Sequence, residues 1–156
     1  MRTHAAIAQS FLRVAILLLV SATLVGCGPK GAELGTVNGK VTLDGQPVSG
    51  LKLEFMPVKD QQNITGEPAK TAEPDLSRPN SVGTTNDNGE FELSYSKGDN
   101  RKGAVLGWHM VVFPPETNQK LPPQYSSVEP SAMDYIIFKK VEPGENKDVM
   151  IELRSK

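Results

Sequence analysis

Apolar and polar residues alternate with a period of two along several short stretches after residue 35. This is the pattern of strands that bury one face, and turn residues such as Asn88-Gly89 separate the stretches. The alternation predicts seven strands, at 36–43, 51–56, 81–85, 90–95, 108–112, 135–141 and 149–153. Short strands joined by regular turn signals indicate an all-β fold, a seven-stranded antiparallel β-sandwich.

The alternation also predicts which side chains face the interior, because successive side chains of a strand point to opposite faces. The rows expected to face inward are Val37, Val41 and Leu43, then Leu51, Leu53 and Phe55, then Phe91, Leu93 and Tyr95, then Trp108, Met110 and Val112, and last Val149, Ile151 and Leu153. In the fifth strand this assignment places His109, Val111 and Phe113 on the face that points away from the core. His109 is therefore expected to be a solvated surface residue.

Two long stretches, 58–80 and 114–134, break the alternation. The first is rich in polar residues and has almost no large apolar side chains. It buries too little surface to offset its ordering entropy, so we predict a long mobile loop. The second is also loop-like and contains Leu121-Pro122-Pro123-Gln124-Tyr125. Function on a common fold resides in sites grafted onto it, so we expect the binding function to lie in these two loops.

The first 26 residues have a different character. Arg2 and Arg13 are basic, no acidic residue occurs before Glu33, and residues 14–26 are almost wholly apolar. This apolar run is shorter than the roughly 20 residues that a membrane-spanning helix needs. A basic start, a short apolar run and small residues at its end are typical of a secretory signal peptide.

The end of that run is more specific. Leu24-Val25-Gly26-Cys27 resembles the bacterial lipobox, Leu-x-Gly/Ala-Cys, and Cys27 is the only cysteine of the chain. The resemblance implies recognition of Leu24, Val25 and Gly26 by the signal peptidase, cleavage before Cys27, and attachment of lipid to the Cys27 sulfur and amino group, palmitate included. Two or three acyl chains anchor a protein stably to a membrane, whereas one does so only marginally. Gly28 in place of the aspartate that marks inner-membrane retention favours the outer membrane.

A second resemblance covers roughly residues 36–154. The stretch GKVTLDGQPVSGL at 39–51 resembles the opening hairpin of carboxypeptidase-regulatory-like domains, and TTNDNGEF at 84–91 resembles a later hairpin of that family. GWHMVV at 107–112, LPPQYS at 121–126 and VEPGEN at 141–146 follow in the family's order. The resemblance implies a transthyretin-like (prealbumin-like) sandwich at 36–154, after a signal peptide at 1–26 and a lipidated tether at 27–35. In carboxypeptidases this domain accompanies a separate zinc-containing catalytic domain.

Composition and chemistry narrow the function further. The 156 residues include 17 basic and 18 acidic side chains, for a net charge of −1, with no basic cluster to bind nucleic acid. The two histidines, His4 and His109, do not form a zinc-binding motif. Residues 86–90 resemble the start of a calcium loop but lack its leading aspartate and distal glutamate, so a hairpin is expected. We predict no catalytic residue, no metal and no cofactor.

The sequence therefore favours a non-enzymatic lipoprotein of the cell envelope, anchored on the extracytoplasmic side through Cys27. Its role would be structural, adhesive or protein- or glycan-binding, through its long loops. The alternative is an accessory subunit that holds a substrate or carbohydrate for a separate envelope enzyme or transporter. An exposed aromatic platform built from Trp108 or Tyr125 would favour the alternative, and burial of Trp108 would count against it. A concave pocket with convergent ionisable groups would instead indicate an enzyme.

Overall fold

The computed structural model describes residues 31–61, 66–98, 101–114, 121–126 and 134–155. Ala32–Lys156 forms one compact unit. The predicted signal peptide and the lipobox residues Leu24, Val25, Gly26 and Cys27 lie outside the described residues, so their assignment stays a prediction. Within the described residues, no helix is long and apolar enough to cross a membrane.

The described residues form ten strands and one short helix. The strands are β1 (Leu34–Leu43), β2 (Gln46–Pro47), β3 (Lys52–Pro57), β4 (Ser81–Thr84), β5 (Glu90–Glu92), β6 (Ser94–Tyr95), β7 (Ala104–Val105), β8 (Gly107–Val112), β9 (Ile137–Val141) and β10 (Glu145–Leu153), and the helix is α1 (Pro123–Ser126). Each of the seven predicted strands overlaps at least one of these. Asp44 and Gly45 both have positive φ, 50° and 82°, which gives the tight turn between β1 and β2.

The strands form two sheets, in agreement with the predicted all-β class and consistent with a sandwich. In the first sheet β1 pairs with β10, β2, β5 and β7, and in the second the order is β6-β4-β3-β8-β9. One pair contradicts the antiparallel prediction, because β1 and β10 run parallel. These are the first and last strands of the unit, so no hairpin forces them to be antiparallel, and the intervening chain supplies the long connection that a parallel pair needs.

The strand count exceeds seven for a local reason. The predicted strand at 90–95 divides at Leu93, since β5 pairs with β1 in the first sheet and β6 pairs with β4 in the second. Leu93 lies where the chain passes from the first sheet to the second, and its side chain is fully buried. The two-residue strands β2 and β7 account for the other additions, and neither carries enough alternation to be recognised from sequence.

Residues from both sheets build the core. Phe55 of β3 packs against Phe91 of β5 with ring centroids 6.2 Å apart. Most of the predicted inward rows are confirmed, with Val37, Val41, Leu51, Leu53, Phe55, Phe91, Leu93, Tyr95, Ile151 and Leu153 all buried. The two aromatic rings thus form a contact between the two sheets.

The predicted facing of β8 is wrong. His109, Val111 and Phe113 are buried, whereas Trp108 and Met110 are only half-buried. Apart from His109, the side chains on both faces of this strand are apolar, so alternation alone did not distinguish the faces. Pairing decides the matter, because residues directly opposite each other share a face and Val111 lies opposite the buried Phe55.

The segment 58–80, expected to be a mobile loop, makes specific contacts where the structure describes it. The backbone N–H of Asp75 donates to the Pro57 carbonyl at 2.6 Å, and Lys59 N–H donates to the Glu73 carbonyl at 3.0 Å. An ion pair of 2.7 Å also joins the Lys59 and Glu73 side chains. These bonds hold the described part of the segment next to the end of β3.

Candidate functional site

An open groove of about 320 Å³ lies where the two long loops meet the start of β9. Its lining includes Glu67 and Lys70 from the first loop and Tyr125 and Asp134 from the second. Tyr135 and the beginning of β9 complete it. We call this the distal groove, and it brings together residues from both loops that the sequence singled out for binding.

Three aromatic rings lead from the core to the surface of the distal groove. Phe113 is buried at the end of β8 and meets Tyr125 edge to face, with ring centroids 6.4 Å apart at 88°. Tyr125 in turn meets Tyr135 at 5.8 Å and 76°. Tyr135 is 39% exposed. The exposed ring is therefore supported by a row of packed rings rather than by a free loop.

The helix α1 places Tyr125 in this row. The helix begins at Pro123, and proline suits the first turn because its missing N–H would have no helical partner. The Tyr125 hydroxyl accepts a hydrogen bond from the Arg154 N–H at 2.9 Å, and the Gln124 side chain donates to the Arg154 carbonyl at 2.9 Å. Two bonds thus attach the short helix to the residue that follows β10.

Lys70 attaches the first loop to the other side of the groove. Its ammonium donates to the Ile136 carbonyl and lies 5.5 Å from the centre of the Phe138 ring. The Glu67 carboxylate is 3.9 Å from the same ammonium. Because Lys70 is 66 residues from Ile136, this bond positions the wall of the groove through a long-range contact.

The groove carries balanced charge. Two acidic side chains, Glu67 and Asp134, and two basic ones, Lys70 and Lys139, line it. In the part of the chain that the structure describes, Lys70 pairs with Glu67, and no ion pair joins Asp134 or Lys139 to another residue. The Asp134 carboxylate and the Lys139 ammonium therefore offer one acceptor group and one donor group to a ligand.

The distal groove lies at the opposite end of the sheets from the entry of the chain. The backbone at Gly35, near the start of β1, lies close to Val141 and Glu142 at the end of β9. The groove lies at the other end of β9, where Tyr135 and Ile137 are found. The length of that strand therefore separates the entry point from the groove.

Trp108, which the sequence suggested as an aromatic platform, is half-buried and does not line the distal groove. Its backbone is held by the Gln61 side chain, whose amide oxygen accepts from the Trp108 N–H and whose amide nitrogen donates to the Trp108 carbonyl, each at 2.9 Å. Tyr125, the other suggested residue, does lie in the groove. Tyr135, predicted only as the start of a strand, is the exposed ring. No local pattern signals this role, because it depends on the ring contact with Tyr125.

His109 is buried rather than solvated, which corrects the sequence prediction. Its Nδ1 donates to the Gly107 carbonyl at 3.0 Å, and its ring lies 5.9 Å from that of Phe55. Among the described residues, its Nε2 is a buried atom without a hydrogen-bond partner. Burial lowers the pKa of His109 from 6.5 to about 4, the bond to Gly107 opposes this effect, and the positive charge of Arg78 adds to it. The ring is therefore neutral at pH 7.

Two other parts of the surface are less suited to binding a ligand. A larger groove of about 450 Å³ lies over β1 and β10 beside the exposed Met150, but its aromatic residue, Phe91, is buried. At the predicted calcium-like hairpin, the Asn86 side-chain oxygen accepts from the N–H groups of Asn88 and Glu90 at 2.9 and 3.0 Å. That oxygen thus closes the turn, as the hairpin prediction expects. In the described residues no group of three potential metal ligands comes together.

Comparisons with known proteins find no match, so the interpretation of this site rests on its geometry. A scan against protein-family models finds no match. Searches of the curated proteins and of the solved structures find no match either.

Proposed function

We propose that this chain is a lipid-anchored protein of the bacterial cell envelope that binds a partner through the distal groove and has no catalytic activity of its own. Four charged side chains line the groove, but Lys70 is engaged by Glu67 and by the Ile136 carbonyl, so we expect Asp134 and Lys139 to serve binding rather than catalysis. One observation carries the binding part of the proposal: residues 67 and 70 of the first loop and 125 and 134 of the second line a single groove. The lipid anchor rests on the likeness of Leu24-Val25-Gly26-Cys27 to a lipobox. The tether after Cys27 would enter the domain at the end away from the groove.

The transthyretin-like assignment belongs to this proposal. The motifs at 39–51 and 84–91 support it, since the first spans the β1–β2 turn and the second spans the turn that connects β4 to β5. The two-sheet architecture is compatible with it. The parallel pairing of β1 with β10 departs from the wholly antiparallel sandwich that the motifs lead us to expect.

The alternative, an accessory subunit that holds a substrate or carbohydrate for a separate enzyme or transporter, has one observation in its favour. That observation is the exposed Tyr135 ring, which supplies the aromatic platform in place of Trp108. Both functions use the same groove. They differ in whether a second envelope protein takes over the ligand.

The anchor is tested by the substitution Cys27→Ser in cells that produce the full chain. Serine lacks the nucleophilic thiol, so we expect loss of palmitate labelling and loss of the protein from the membrane fraction. Ser21→Ala is the matched control, because it changes the apolar run but leaves the lipobox intact, and it should label normally. Unchanged labelling of Cys27→Ser would refute the lipid anchor without touching the groove.

A further inference from the structure

The exposed ring of Tyr135 indicates what kind of ligand the distal groove binds. Tyr135 is one of the three large hydrophobic side chains that are exposed among the described residues, and Leu76 is the most exposed of them at 77%. Unlike Leu76, Tyr135 lines the distal groove and is held by a ring contact to Tyr125. A rigid exposed ring offers a flat apolar surface at low cost in side-chain entropy.

The remaining lining defines the rest of the ligand. A purely apolar ligand would leave the Asp134 carboxylate and the Lys139 ammonium without partners as it excludes water. A strongly charged ligand would find no excess of opposite charge, because two acidic and two basic side chains balance each other. The groove therefore suits a neutral molecule that has a flat apolar face and many hydroxyl groups at its edge.

We propose that the distal groove binds a neutral glycan. One sugar ring stacks its C–H face on Tyr135, and its hydroxyl groups donate to the Asp134 carboxylate and accept from the Lys139 ammonium. Lys70 and Tyr125 act as positioning residues, because they hold the wall and the ring in place. This inference rests on the proposed function and names the partner class of the same groove.

The test is affinity electrophoresis of the full chain in detergent, through gels that contain a β-glucan, a mannan or a xylan. We expect at least one of these neutral polysaccharides to retard the protein. Tyr135→Ala should weaken that binding by about tenfold or more, whereas Tyr135→Phe keeps the ring and should bind as the unchanged protein does. Asp134→Asn should also weaken binding, because it replaces a charged acceptor with a neutral one.

Leu76→Ala is the matched control, since it removes an exposed apolar side chain that does not line the groove. Near-UV and far-UV spectra check that each variant keeps its fold. If Tyr135→Ala is misfolded, Asp134→Asn decides the question alone, because the Asp134 side chain is exposed and makes no ion pair within the described residues.

Three outcomes would overturn the inference. The first is that none of the three polysaccharides retards the protein. The second is that retardation survives both Tyr135→Ala and Asp134→Asn. The third is that, in a parallel pull-down, the protein binds only isolated peptidoglycan sacculi, whose peptides carry charge. If a photo-crosslinker at position 135 in intact cells captures an envelope protein and no polysaccharide retards the chain, the glycan inference fails. The proposed binding function of the groove then stands.

Discussion

Lowering the pH from 7 to 5 is expected to destabilise the fold through His109. Burial lowers the pKa of this imidazole from 6.5 to about 4 in the folded protein. The unfolded chain therefore binds the proton near pH 6.5, and the folded chain binds it only near pH 4. The stabilising effect of the neutral ring is complete above pH 6.5 and is lost as the pH falls towards 4. The whole difference corresponds to about 3 kcal/mol of unfolding free energy, of which about 2 kcal/mol is lost between pH 7 and pH 5.

The decrease in unfolding free energy is measured by urea unfolding of the polypeptide from residue 28 onward. Trp108 fluorescence reports the transition at pH 7, 6 and 5. His109→Leu removes the titrating ring and keeps an apolar side chain, so its unfolding free energy should change little over the same range. Hydrogen bonds lower the pKa of the exposed carboxylates Asp44, Glu73 and Asp75, and because both proteins contain these groups, their effect cancels in the comparison. Parallel pH curves for the two proteins would refute the reasoning.

Two substitutions test the packing that supports the fold. Thr85 is buried, and its hydroxyl accepts from the Leu51 N–H at 2.8 Å and donates to the Val48 carbonyl at 2.6 Å. Thr85→Val leaves both backbone groups without a partner and should lower the free energy of unfolding by about 1–3 kcal/mol; a urea midpoint equal to that of the unchanged protein would contradict this account. A Cβ at Gly39 would collide with a carbonyl oxygen of β10 and would lie 2.7 Å from the Phe91 ring. Gly39→Ala should therefore cost about 1–3 kcal/mol in the same assay, and unchanged stability would show that the β1–β10 pair can move apart without loss.

The strands predicted most accurately are those with one clearly polar face. In β3 the half-buried Lys52 and Glu54 alternate with the buried Leu53 and Phe55, so the buried row is unambiguous. The strand β8 lacks this contrast. Apart from His109, both of its rows are apolar, and only its pairing with β3 shows that Val111 faces the core. Alternation detects a strand, but it assigns the buried face only when the other face is polar.

The distal groove could be predicted only in part. The sequence indicated the two loops as binding segments and named Tyr125. It did not indicate Tyr135 or Lys70, because their roles depend on a ring contact to Tyr125 and on a hydrogen bond to Ile136. Each of these contacts joins positions in separate segments of the chain, and no local pattern encodes them.

The sequence by itself determined the local features of this protein: the strand period, the turn residues such as Asp44-Gly45, and the lipobox-like stretch ending at Cys27. These features depend only on residues that are neighbours in the sequence, so they do not require contacts between distant segments. Only the tertiary structure decided the parallel pairing of β1 with β10, the burial of His109 and the meeting of the two loops at one groove. These features depend on contacts between distant segments, and such contacts form only when the two sheets pack together.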